Sequence, residues 1–214
     1  MKKIFISLIL VSLSHMAFSK TEKWIIDRDH TKIGFEVPHL LISSVEGQFN
    51  EFTGEVMYDI ANKDIKDLIK RMKFNVNIKA NSIDTGNEKR DTHLKSPDFF
   101  NVKKKGHESI KFQSSSVTSV NGKRFRVNGN LTINKVTKPV TIAFKYLGSA
   151  KAYGILKVAF IGKVKIKRED FGLNWNDGEV KATNFAGKIA EAAGAVGNEV
   201  KIEIKLQAKR ASDL

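Results

Sequence analysis

Along most of the chain apolar and polar side chains alternate with a period of two, the spacing of a strand with one buried and one solvated face. The pattern is clearest over residues 199–209, where Val200, Ile202, Ile204, Leu206 and Ala208 point one way and Lys201, Glu203, Lys205, Gln207 and Lys209 the other. Met72 to Ala80 alternates as cleanly, with Met72, Phe74, Val76, Ile78 and Ala80 opposed to Lys73, Asn75, Asn77 and Lys79. The same rule predicts strands at 24–28, 32–38, 109–117, 125–133, 136–147 and 152–167. Residues 45–60 read as one bent strand or a pair, because Gly47 and Gly54 inside a strand mark bulges or corners. Asn121-Gly122, between two predicted strands, is a hairpin signal. An antiparallel chain of this kind closes into a barrel or stacks into a sandwich, and a barrel of about eight strands has room for one small ligand.

The period breaks over residues 81–102. Within them, 87–95 predicts a two-turn helix stopped at Ser96-Pro97, because the residue before proline avoids helical angles. Residues 168–198 read as irregular, with an Ala/Gly-rich, weakly helical stretch from Ala186 to Gly197. No heptad or solenoid repeat and no Pro/Ser/Gly-rich linker interrupts the chain, so one all-β domain with one or two helical insertions is expected over residues 20–214.

The first nineteen residues read as an export signal: Lys2 and Lys3, then an apolar run from Ile4 to Leu13, then Ala17-Phe18-Ser19, with cleavage after Ser19. That run is shorter than the roughly 20 residues of a membrane span, and a soluble periplasmic product is expected. The chain has no cysteine, so neither a lipid anchor nor a disulfide framework is available and stability must come from a core. The formal charge is +14, and loss of Lys2 and Lys3 leaves +12. Such a protein can meet anionic lipid headgroups, phosphorylated ligands or nucleic acid. Many of the lysines are the outward members of strands and read as a solvated face, export argues against nucleic acid, and transient contact with an anionic membrane surface stays open.

His30, His39, His93 and His107 occur in none of the spacings that give a metal two ligands on one element, and no nucleophile elbow or phosphate-binding glycine loop is present. Arg90, Asp91 and His93 form the densest ionisable cluster, and on a helix Arg90 and His93 share a face beside Leu94. That face either looks into the barrel mouth or ties the helix to the sheet. Phe99, Phe100, Phe171 and Trp175 lie in irregular segments, where they line a cavity or plug it.

Nine segments in order resemble the YceI-like family of exported lipid-binding proteins. They are Trp24-Ile25-Ile26-Asp27-Arg28-Asp29-His30-Thr31, Val37-Pro38-His39-Leu40, Val45-Glu46-Gly47-Gln48-Phe49, Ser82-Ile83-Asp84-Thr85-Gly86, Arg90-Asp91-Thr92-His93-Leu94, Asp98-Phe99-Phe100-Asn101-Val102, Gly129-Asn130-Leu131-Thr132-Ile133, Val136-Thr137-Lys138-Pro139-Val140 and Arg168-Glu169-Asp170-Phe171-Gly172-Leu173. The resemblance implies an extended lipocalin-like antiparallel barrel with an elongated apolar cavity, and a carrier or scavenger of long-chain amphiphiles such as polyprenyl chains with a phosphorylated head or fatty-acid derivatives. Asn134-Lys135 departs from the Arg-Gly pair common in the family, and 186–197 is richer in alanine than the family pattern.

The leading expectation is therefore a periplasmic binding protein, not an enzyme, with no metal or other cofactor, holding an isoprenoid or other long-chain lipid. Candidate walls are Phe74, Val76, Ile78, Val127, Leu131, Ile142, Phe144, Val158 and Phe160. Arg90, His93, Leu94, Phe99, Phe100, Phe171 and Trp175 are candidates at the mouth, and Arg90 suits a phosphate through its planar fork of donors. Two other readings stay open: an enzyme acting on a lipid head through His39, or His93 with Asp91, and a basic surface adaptor whose cavity is only scaffold. A homodimer through an exposed strand edge is a further expectation.

Overall fold

The computed structural model describes residues 21–40, 42–59, 69–175 and 196–214. The predicted export signal, Ile60 and most of the Ala/Gly-rich stretch lie outside the described residues. Among the described residues eleven strands form one sheet: β1 (Thr21–Ile26), β2 (Lys32–His39), β3 (Ser43–Phe49), β4 (Phe52–Asp59), β5 (Lys73–Lys79), β6 (Ile83–Asp84), β7 (Ser109–Asn121), β8 (Arg124–Ile133), β9 (Val136–Ala152), β10 (Ile155–Lys167) and β11 (Glu199–Arg210). Every pairing is antiparallel, and the order β1-β4-β5-β7-β8-β9-β10-β11 returns to β1, which closes an eight-stranded barrel. The strands β2, β3 and β6 extend from β11 outside that closed ring.

Both the closure and the extension depend on β11, which changes partner along its length. Lys201–Lys205 pair with β2, whereas Ala208–Arg210 pair with β1. Between them the chain leaves β1, makes a one-turn 3-10 segment at Arg28–His30 and re-enters as β2. Gln207 holds this junction: its carbonyl accepts from the Asp27 N–H at 2.8 Å, and its own N–H donates to the Thr31 hydroxyl at 3.0 Å. Asp27, 4 % exposed, completes it by accepting from Lys209 Nζ, Gln207 Nε2 and His30 Nδ1, each at 2.9 Å. Burial pushes the Asp27 carboxyl up. The hydrogen bonds from Lys209 and Gln207 and the neighbouring charges outweigh that, and its pKa lies below the usual aspartate value.

Residues 45–59 divide between β3 and β4, which pair with different neighbours. The break falls at Asn50-Glu51, and the two glycines differ from their expected role as corners. A Cβ on Gly47 would lie 2.3 Å from Phe35 Cζ, its cross-strand partner, and one on Gly54 would lie 2.6 Å from the Asn75 carbonyl oxygen. These glycines admit a close neighbour without interrupting the ladder. The helix α1 (Glu88–Lys95) begins on Asn87, whose side chain accepts from the Arg90 N–H at 3.1 Å, and ends at Ser96 before the proline. The β7–β8 hairpin turns through Gly122 and Lys123, one residue beyond the expected pair, with Gly122 at φ 51°.

The turn where this sequence departs from its resembling family, Asn134-Lys135, has both residues left-handed, at φ 49° and 66°. Asn134 is held there by donating its side-chain amide to the Phe99 carbonyl at 3.0 Å. Lys135 carries a side chain where glycine is unstrained, so Lys135→Gly should raise stability by about 0.5–1 kcal/mol, the αL cost less the extra chain entropy of glycine, read as a higher urea midpoint. Asp27→Asn should cost about 2–3 kcal/mol, because three donors lose a buried anion. Since the folded pKa of Asp27 is depressed, its contribution is present above the unfolded value near 3.9 and is lost as pH falls through the folded value. Urea titrations between about pH 7 and pH 3 should therefore show the Asn variant approaching the wild type at the acid end.

Candidate ligand-binding cavity

The inner faces of the strands do not fill the molecule evenly. At one end aromatic rings close the barrel: Phe74 and Phe144 stack with centroids 5.3 Å apart, Phe125 lies 5.6 Å from Phe144, and Phe160 meets Phe74 edge-on at 6.0 Å. Toward the other end the inward positions become Val, Ile and Leu, and a cavity of about 770 Å³ remains. Phe74 and Phe144 form its floor. Val76 and Ile78 of β5, Leu131 of β8 and Ile142 of β9 line its walls, as do Val164 and Ile166 of β10. The opposite wall is the sheet extension: Ile33, Phe35 and Val37 of β2 and Phe49 of β3, with Val200, Ile202 and Ile204 of β11.

Helix α1 and the segment after it cover the mouth, with Arg90, His93 and Leu94 on the lining together with Phe99 and Phe100. Trp175 completes an aromatic rim: the His93 ring stands edge-on to Trp175 at 4.7 Å and to Phe99 at 5.2 Å. His93 Nε2 is 2.8 Å from Asp98 Oδ2, so its carboxylate partner is Asp98 and not Asp91. Asp91 instead accepts from the Thr85 N–H at 2.9 Å and the Thr85 hydroxyl at 2.5 Å. Arg90 Nε donates to that hydroxyl at 2.8 Å and Nη2 to the Thr85 carbonyl at 2.9 Å, so the helix is tied to the chain just after β6 by the cluster that also borders the cavity. Arg90 thus both ties the helix down and borders the cavity.

Four sequence candidates stand elsewhere. Val127, Val158, Phe160 and Phe171 are at most 1 % exposed and do not border the cavity. Phe160 belongs to the aromatic plug, Val127 and Val158 are covered in the packed core, and Phe171 sits in a 3-10 turn, Glu169–Phe171, against β9 and β10. The other twelve candidates surround one space. The whole β2–β3 wall and the β11 wall escaped the sequence-based candidates, although the alternation of β11 marked its apolar face.

Arg168 was also missed as a site residue. It borders the cavity, is 4 % exposed, and spends its guanidinium on four backbone carbonyls: Gly197 at 3.0 Å from Nε, Val196 at 3.0 Å from Nη2, and Trp175 at 2.9 Å with Leu173 from Nη1. Burial lowers its pKa from the ordinary arginine value, and Glu169, 3.9 Å away, works in the other direction. This fork fixes the chain on both sides of the mouth. Among the described lining residues there is no Asp or Glu, while Lys89, Arg90 and Arg168 supply positive charge and His39 two further ring nitrogens. No group of three or more metal-binding side chains occurs among the described residues. No helix among them is long and apolar enough to cross a membrane.

With this geometry in place, comparison with known proteins is specific. A family model described as the YceI-like domain matches residues 24–208. The "UPF0312 protein" of Shewanella denitrificans is 34 % identical over 184 residues, 85 % of this chain and 92 % of that protein. That of Azotobacter vinelandii is 36 % identical over 153 residues, 70 % of this chain and 76 % of its own. Among solved structures, a Campylobacter jejuni YCEI protein superposes with a TM-score of 0.61 at 28 % identity, covering 81 % of this chain and 89 % of the other. Burkholderia cenocepacia BcnA gives 0.65 at 22 %, covering 85 % and 98 %. A polyisoprenoid binding domain from Saccharophagus degradans gives 0.59 at 13 %, covering 89 % and 99 %. The last two likenesses carry the fold alone.

Replacing Arg168 by lysine keeps the charge but removes the fork, leaving most of four carbonyls unpaired. Arg168→Lys should cost about 2–4 kcal/mol in urea unfolding and should increase hydrogen exchange at 171–175 and 196–198 before the barrel strands respond.

Proposed function

Because the chain belongs to the YceI-like family, we propose that it is an exported carrier that holds the tail of a long-chain amphiphile, a polyisoprenoid or fatty-acyl compound, in its barrel and performs no chemistry on it. The observation that carries this reading is the apolar cavity of about 770 Å³ with its charged groups confined to one end. That volume lies within the range of sites that enclose small ligands. Each methylene moved from water into such a space is worth roughly 0.8 kcal/mol, so a dozen give on the order of 10 kcal/mol before ordering costs. Retention therefore requires no nucleophile or general base.

The absence of carboxylates among the described lining residues supports a polar or anionic head over a cationic one, since a negative group at the mouth meets Lys89, Arg90 and Arg168. The Saccharophagus degradans domain of the same fold is described as polyisoprenoid binding. The lysine-led apolar run and small-residue site at the N-terminus support export to the periplasm.

Native mass spectrometry of the protein purified from its producing cells should find a stoichiometric lipid mass, identified after organic extraction. An empty, folded protein from the same preparation would overturn the reading. Val140 is half-buried on the lining, and Val140→Trp should occupy part of the cavity at small cost to the fold. The expected result is loss of the longest bound chains or at least a tenfold fall in occupancy, with the circular dichroism spectrum unchanged.

A further inference from the structure

The charge of this protein is unevenly placed along the chain and therefore around the barrel. Between Glu108 and Glu169 there is no acidic residue, while thirteen lysines and arginines occur. That block is the consecutive wall β7-β8-β9-β10, so half of the closed ring carries no carboxylate of its own. At the β10 border the outward lysines are neutralised by β11, Lys163 by Glu203 at 3.0 Å and Lys165 by Glu199 at 2.8 Å. Farther into the wall this stops. Lys123, Arg124, Arg126 and Lys145 are exposed and make no ion pair among the described residues. Arg124 and Lys145 are direct cross-strand partners, an arrangement that costs stability through like-charge repulsion.

The same wall carries apolar groups on its surface. Tyr153, at the tip of the β9–β10 hairpin, is 100 % exposed and held at φ 52°, and Leu147 on β9 is 44 % exposed. The β7–β8 and β9–β10 tips lie at the same end of the barrel, so cations and exposed apolar side chains share one region. A purely anionic polymer satisfies the first feature and leaves Tyr153 and Leu147 in water. A bilayer with acidic headgroups satisfies both, because phosphates meet the cations while tyrosine and leucine enter the headgroup boundary.

We propose that the outer wall of β7–β10, with the Tyr153 hairpin as its anchor, docks side-on to an anionic phospholipid bilayer. This goes beyond the carrier function and is independent of what the cavity holds. Each basic side chain near such a surface contributes a factor of about five in binding, and the attraction decays within a Debye length of about 10 Å at 0.1 M salt.

Flotation with vesicles of phosphatidylcholine alone or with about a quarter phosphatidylglycerol, at ~20 mM and ~500 mM NaCl, tests it. The protein purified from its producing cells should float only with the acidic vesicles and only at low salt. The double variant Arg124→Ser/Lys145→Ser should bind about 30-fold more weakly, with a thermal midpoint equal to or above that of the wild type. Tyr153→Ser should weaken binding several-fold without changing its salt dependence, and Lys201→Gln, which removes a cation outside the block already paired with Glu36 at 3.1 Å, should leave binding within twofold. Failure to bind acidic vesicles at low salt, equal binding by the double variant, or displacement from vesicles by an equal phosphate concentration of duplex DNA would overturn the proposal.

Discussion

The architecture depends on the junction at which β11 exchanges β2 for β1. An eight-stranded barrel has an interior that side chains fill or that holds one small ligand, so simple closure of this chain would confine any cavity to the ring itself. The buried Asp27 carboxylate, with Gln207, Thr31 and Lys209, lets one strand be interrupted for a single turn and then resume at another place on the same partner. The interruption diverts β2 and β3 out of the ring, and together with β11 they become one wall of a larger enclosure. The junction is stable because each buried polar atom named there has a partner, and an unpaired one costs about 1–3 kcal/mol.

Within that frame the division between solid core and open space is set by what each inward side chain faces across the barrel. Phe125 and Phe144 are paired across β8 and β9, and so are Val127 and Ile142 one pleat farther on. In each pair one member borders the cavity and the other is wholly covered. The aromatic end gains dispersion contacts and ring-edge geometry. The aliphatic end forgoes such contacts, which is a cost in stability. An apolar cavity of this size is therefore tied to function more readily than to folding.

Charge follows a separate logic. Cations at the mouth are immobilised by neutral acceptors: Arg90 by Thr85, and Arg168 by four carbonyls. They shape the opening and leave a positive field there without a carboxylate on the lining. On the outer wall Lys123, Arg124, Arg126 and Lys145 are exposed and make no ion pair among the described residues, so they respond to the solvent and to salt. One protein thus places fixed positive charge where a lipid head would sit and free positive charge where a surface can be met.

Local periodicity made the strands legible, because the alternation of residues 72–80 or 199–209 is a property of the pleat itself. Pro97 likewise marked the end of helix α1, since the pre-proline restriction acts over a few residues, whereas Asn87, which the pattern includes in the helix, caps it. The ordered motifs also identified the family. Sequence alone did not separate Val127 from Ile142, because both alternate correctly and only the neighbour across the barrel decides whether a side chain meets another or meets space. It did not give His93 its partner Asp98, nor reveal that Gly47 makes room for Phe35, for the same reason. Arg168 entered the sequence reading only as the first residue of a family-like segment. Its burial among the carbonyls of Leu173, Trp175, Val196 and Gly197 exists only once residues distant in the chain are brought together, and that tertiary contact, not its local sequence, gives it its place.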